Sequence, residues 1–220
     1  MNFTVTLTGE LPLLMSSDNG LNPRNEMAKQ VRALYTKGKK RTAEDDEELA
    51  RLEYRLKLYY DPTIGLYIPG ENIETCLFQA SKQQRKGQDF KRAVTAIDAC
   101  CPLKHSGPTT PEGLWADPAY RLEKGMPARA GRLWLVIPSF PDWQVTCEFM
   151  VDDELVDEEM FREALRFAGK YVGLGAERPR YGSFTAVATR LDEGSLLAEG
   201  SERYGTEKRG NGSAREAIRR

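Results

Sequence analysis

The apolar residues change period along the chain, and they do so twice in the same sense. Residues 2–8 alternate, with Phe3, Val5 and Leu7 set against Asn2, Thr4 and Thr6, which is the pattern of a strand with one buried face. After a short strand LYI and a Pro-Gly turn, Ile73, Cys76, Leu77 and Ala80 recur at helical spacing. The second half repeats the change. Strands within ARAGRLWLVIPSF and DWQVTCEFMV, read as a hairpin about the Ser139–Asp142 turn, precede a helix over about 157–172 with Phe161, Ala164, Leu165, Ala168 and Val172 on one face. A strand over 91–99 and a last strand over 184–191 complete the order. Two strand–helix halves on one sheet predict an α+β fold with a ferredoxin-like or RRM-like βαββαβ core.

The remaining segments decorate that core. Residues about 20–62 read as a helical insertion: a loop SSDNGLNPRN, a short helix over 26–37, and a helix over 43–60 that Thr42 caps and Asp61-Pro62 ends. Five prolines between 100 and 128 predict an irregular excursion there. The tail, 193–220, has few apolar residues and reads as flexible and disordered, which leaves 1–192 as a single domain.

Composition narrows the function classes. No apolar run reaches the roughly 18–20 residues of a membrane helix, so a cytoplasmic protein without membrane contact is expected. A net charge of −1 argues against a surface that is basic all over, but the charges are segregated. KGKKR (37–41) runs straight into AEDDEE (43–48), KQQRKGQDFKR (82–92) is basic, and DDELVDEE (152–159) is acidic. The acidic runs read either as solvated helix faces or as partners for the basic segments of a neighbouring copy. The four cysteines, at 76, 100, 101 and 147, make no C-x-x-C pair, and with a single histidine in the chain no metal site or disulfide framework is expected. Cys76 and Cys147 fall on apolar faces and read as buried thiols.

One stretch resists a bland explanation. GKYVGLGAERPRYGSF (169–184) follows a helix and opens a strand, so Gly173 reads as a helix cap and Pro179 as a stop. Gly175, Gly182 and the Arg178, Arg180, Tyr181 cluster are left over. The dinucleotide fingerprint needs the opposite order, strand then helix, and the Walker pattern is absent, so no nucleotide cofactor is expected. Arginine forks match phosphate oxygens and a tyrosine ring stacks on a base. The loop therefore reads either as a nucleic-acid contact or as architecture with solvated arginines.

At this point four blocks resemble the RAMP superfamily, the RRM-fold subunits of CRISPR effector complexes. They are the first strand FTVTLTGELPLLM, the turn and helix YIPGENIETCLFQA, the strands ARAGRLWLVIPSFPDWQVTCEFMV, and the loop GLGAERPRYGSF. They are also similar to blocks in small proteins of tailed phages and prophages. The chain departs from the family in having fewer loop glycines and in carrying Glu71 where serine is usual. The resemblance implies a non-catalytic protein that binds single-stranded RNA, or single-stranded DNA in a phage setting, and oligomerises along the strand, alone or with other phage or host nucleoprotein subunits. Phosphate contacts are expected from Arg178, Arg180, Lys82, Arg85, Lys86, Lys91 and Arg92, aided by Lys37, Lys39, Lys40 and Arg41. Gly173, Gly175 and Gly182 would shape the grip, Tyr181 would stack, and Trp134 reads either as core or as a second stacking face. Two alternatives stay open. One is a protein-interaction module without nucleic-acid contact, and the other a metal-independent endoribonuclease using His105. Asp18 is the nearest match to the aspartate with which some family members cleave RNA.

Overall fold

The computed structural model describes residues 1–128 and 131–191, leaving aside the side chains of 126–133; the tail expected at 193–220 lies outside the described residues. Strand β1 (Asn2–Gly9) buries Phe3, Val5 and Leu7 completely, as their alternation requires. A two-residue strand, β2 (Leu13–Leu14), follows it. Two helices come next, α1 (Glu26–Thr36) and α2 (Ala43–Leu56). Asn25 caps α1 by accepting from the N–H groups of Met27 and Ala28. Thr42 and Asp45 form a reciprocal capping box on α2, with Glu44, Asp45 and Asp46 against the positive end of the helix. The helix stops at Leu56, earlier than its apolar stripe implies. Tyr60–Asp61 instead form β3, which pairs with β4 (Gly65–Pro69).

Helix α3 (Gly70–Gln83) buries Ile73, Cys76, Leu77 and Ala80, the face their spacing predicts. The strand expected over 91–99 is corrected: Gly87–Ala93 form a helix, α4, and β5 (Val94–Ala96) starts only at Val94. Phe90 and Ala93 are both buried and lie three residues apart. A helix brings such a pair to one face, whereas a strand would send them to opposite faces.

The irregular excursion expected over 100–128 is also corrected. It contains β6 (Cys100–Lys104), α5 (Pro111–Ala116) and β7 (Arg121–Ala128). Pro111 occupies the first turn of α5, where no N–H is needed, and Thr110 caps that turn. Pro127 is tolerated in β7 because β7 is the edge strand of a second, three-stranded sheet ordered β2-β8-β7, with β8 spanning Gly131–Phe140.

The expected hairpin about Ser139–Asp142 does not form. Strand β8 pairs with β7 from Arg121↔Pro138 to Ala128↔Gly131, while β9 (Gln144–Val151) pairs with β1, β5 and β6. The chain crosses between sheets at Trp143, whose buried indole N–H donates to the Leu11 carbonyl at 3.0 Å. Its ring fills the space beside Gly9, where an added Cβ would lie 2.1 Å from Nε1. Helix α6 (Glu158–Phe167), capped by Asp157, and β10 (Phe184–Leu191) are the last elements among the described residues.

The larger sheet is ordered β10-β1-β9-β6-β4-β3, with β5 also on β9. Within β10-β1-β9-β6, α3 connects the first core strand to the second, through α4 and β5, and α6 connects the third to the fourth. The resulting spatial order, fourth, first, third, second, is that of the split βαβ arrangement, so the α+β, ferredoxin-like or RRM-like core is the fold observed. Helix α6 covers one face of the sheet, where Phe161 lies 5.0 Å from Phe3 and 5.9 Å from Phe149, ring centroid to ring centroid. Each side chain buried this completely stabilises the fold by about 1.5–3 kcal/mol. Among the described residues no helix is long and apolar enough to cross a membrane.

Candidate nucleic-acid interface

The loop from Gly173 to Ser183 is held by main-chain hydrogen bonds on three sides. Leu174 N–H donates to the Gly182 carbonyl at 2.8 Å, closing the loop on itself. Gly182 N–H donates to Pro12 at 2.9 Å and Ala176 N–H to Leu14 at 2.8 Å, tying it to the segment after β1. The Cys76 thiol on α3 donates to the Gly173 carbonyl at 3.1 Å. These contacts account for the glycines. All three have φ between 71° and 82°, the left-handed region. A Cβ on Gly182 would lie 1.8 Å from the Leu174 oxygen, and one on Gly175 would lie 2.4 Å from the Leu14 oxygen. Gly173 and Gly182 are buried and bring backbone against backbone inside the protein.

What this anchoring presents outward is Arg178, Pro179 and Arg180, all exposed, with Tyr181 half-buried behind them. Glu177 pairs with Lys124 of β7, fastening the loop to the second sheet. Beside Arg178 a cleft of about 180 Å³ separates the loop from the start of α3; Tyr59, Asn72, Thr75 and Leu174 line it. Asn72 donates its side-chain N–H to the Tyr59 hydroxyl at 3.3 Å. The N-cap of α3 is Pro69, which supplies no side-chain cap, and the Gly70 N–H donates to the Ala99 carbonyl at 3.1 Å.

The second basic group, Lys82, Arg85, Lys86, Lys91 and Arg92, is exposed around the end of α3 and along α4. It lies at the opposite end of α3 from the cleft; ten residues from Asn72 to Lys82 correspond to about 15 Å of helix. Lys82 rests over the Phe78 ring at 4.2 Å and Lys86 lies 3.6 Å from Asp89. Arg178, Arg180, Arg85, Lys91 and Arg92 have no ion pair among the described residues.

The charge runs near α2 and α6 are partly spent within the chain. Lys37 pairs with Asp45 at 2.6 Å and Arg41 with Asp46 at 2.9 Å. Asp157 caps α6, and Glu158 pairs with Arg162 at 2.7 Å and with Arg190 at 3.4 Å. Two carboxylates of the acidic run at 43–48, Asp45 and Asp46, are thus engaged by the basic segment preceding them in the same chain.

Across β10, β1 and β9 the sheet face away from the helices carries no aromatic side chain. It sets Thr189, Thr4 and Glu148 in one row and Val187, Thr6 and Thr146 in the next. The second row continues across β6 and β4 to Pro102 and Tyr67, whose ring lies 5.8 Å from that of Tyr59. Trp134 is 63% exposed on β8, which settles its two readings against a core position. It is on the same side of the strand as buried Val136 but farther out, where the core ends.

His105 packs against Phe140 and Tyr120 at 5.2 and 5.6 Å, and its Nδ1 accepts from Gly107 N–H at 3.1 Å. Burial holds its pKa below the ordinary imidazole value, and the Asp142 carboxylate partly opposes this. Asp18 is exposed in the loop after β2, and its carbonyl accepts from Leu21 N–H at 2.8 Å. Burial pushes the Cys76 thiol up to about 12. Sequence spacing could not reveal one further cluster: Asp98, Cys101 and Cys147 bring a carboxylate oxygen and two sulfurs within 4.8 Å of one another.

No family model and no curated protein matches the chain. Among solved structures it is similar to a chain in a cryo-EM structure of the type III-B Cmr-beta complex bound to cognate target RNA, at 11% identity and a TM-score of 0.45. The match covers 87% of this chain and 59% of that one, so this chain spans less than two thirds of that neighbour's length.

Proposed function

We propose that the protein binds single-stranded nucleic acid without cleaving it, through the exposed arginines of the 173–183 loop, and that copies assemble along the strand. The observation that carries this reading is the contrast within the loop: its backbone is hydrogen-bonded to itself, to the segment after β1 and to α3, yet Arg178 and Arg180 are exposed and have no ion pair among the described residues. Such a loop holds two guanidinium forks in place, so little ordering entropy is lost when they close on phosphates. Arg178 borders the cleft lined by Tyr59 and Asn72, which offers a ring and an amide to a base next to the gripped phosphate. The basic group on α3 and α4 extends the positive surface along the strand. The resemblance of the four sequence blocks to RAMP subunits favours RNA over DNA and motivates the assembly.

The test is a titration of labelled single-stranded RNA and DNA of one sequence against the wild type and Arg178→Ala/Arg180→Ala. Salt-sensitive binding that falls at least tenfold in the double variant supports the loop as the grip, and the better-bound strand identifies the ligand. If neither strand binds at low salt, the loop is architecture and the protein is an interaction module.

A further inference from the structure

We propose that Asp98, Cys101 and Cys147 form a binding site for one soft, thiophilic divalent cation of the Zn²⁺ or Cd²⁺ kind. The site is separate from the proposed nucleic-acid interface and does not rest on that reading. Strands β6 and β9 pair at Leu103↔Val145 and Lys104↔Gln144. Continuing this antiparallel register inward sets Cys101 directly opposite Cys147. Both thiols are fully buried and neither is in a disulfide. Asp98, in the turn between β5 and β6, brings its carboxylate to the pair, and the three donor atoms lie within 4.8 Å of one another. A point central to three such atoms is no more than about 2.8 Å from any of them, so shifts of roughly 0.5 Å per ligand reach the 2.3 Å of a zinc–sulfur bond.

Three further features suit a cation. The Asp98 carboxylate has no ion pair among the described residues, although it is half-buried. It is oriented by a hydrogen bond, Oδ2 accepting from Glu148 N–H at 2.9 Å, as the outer contacts of metal ligands commonly are. Glu74, which accepts from Ala96 N–H close by, adds a second negative charge. Ligation by two thiols releases two protons to solvent as the sulfurs become thiolates. The ion and the two thiolates cancel, so the site keeps the single negative charge of Asp98, and no net charge is added to the interior. The partial exposure of Asp98 gives a way in and room for a water as fourth ligand.

Cd²⁺ titrated into the reduced full-length protein tests the proposal, read by sulfur-to-metal charge-transfer absorption, native mass spectrometry and the thermal midpoint. The expected result is one ion per chain and a raised midpoint. Binding should be lost in Cys101→Ser and in Cys147→Ser, weaken about tenfold or more in Asp98→Asn, and be unchanged in Cys100→Ser. Asp98→Asn keeps the test decisive if a buried serine prevents folding, because that position is half-exposed. The absence of a stoichiometric band in the wild type overturns the proposal. So does a band that Asp98→Asn leaves unchanged, or one that Cys100→Ser removes.

Discussion

Two basic segments of this chain look alike in sequence and differ in what their charges already do. Lys37 and Arg41 lie beside the acidic start of α2 and are paired with Asp45 and Asp46 at 2.6 and 2.9 Å. The Lys37 hydrogen bond, ahead of one from the Thr42 backbone, holds the Asp45 carboxyl below its usual range. Arg178 and Arg180 stand on a loop whose one nearby acid, Glu177, is taken by Lys124. Exposed ion pairs contribute little to stability, yet each one spends a cation that would otherwise face a phosphate. A run of lysines in a sequence therefore measures charge, while the fold decides how much of it is available.

The largest effect is expected from the architecture that makes the loop arginines available. Gly182→Ala forces a Cβ into the Leu174 carbonyl at a φ of 71°, so the variant should lose at least about 2 kcal/mol of stability. Thermal unfolding measures this, and an unchanged midpoint would mean the loop is not anchored as described. Next, Lys82→Ala/Arg85→Ala/Lys86→Ala should weaken single-strand binding about tenfold at low salt without moving the midpoint. Unchanged affinity would confine the interface to the loop. Lys37→Ala/Arg41→Ala should change affinity less than about twofold, since those charges are already paired. A larger loss would erase the contrast between the two segments.

The smallest effect concerns a charge that the fold suppresses. Burial keeps the folded pKa of His105 below its unfolded value of about 6.5, so the unfolded chain takes up the proton first. Stability is then complete above that value and is lost as pH falls through it toward the folded pKa. Between pH 7.5 and 5 the wild type should lose more stability than His105→Asn in parallel denaturant titrations. Equal losses would show the imidazole to be solvated.

The core was legible because its elements are periodic over short spans. The alternation of β1, the stripe Ile73–Ala80 and the face Phe161–Leu165 each encode their own geometry. What failed depends on partners distant in sequence. Strand β7 carries Gly125 and Pro127, both poor in an isolated strand, and exists because β8 pairs with all eight of its residues. The turn between β8 and β9 suits a hairpin, and only the wedge of Trp143 against Gly9 shows why the chain changes sheets there. In the loop, the basic and aromatic residues were visible, but the reason for its glycines was not. That reason lies in the carbonyls of Leu14 and Leu174. Cys101 and Cys147, 46 positions apart in the numbering, meet only through strand register.

The central claim is that Arg178 and Arg180 contact phosphates and that Lys37 and Arg41 do not. The most direct measurement is the slope of the logarithm of the binding constant against the logarithm of salt concentration, for one labelled single strand and three proteins. Two lost phosphate contacts should make the slope of Arg178→Ala/Arg180→Ala shallower by about 1.4, while Lys37→Ala/Arg41→Ala keeps the wild-type slope. Equal slopes for the wild type and the loop variant, or a shallower slope in the α2-side variant alone, would contradict the account.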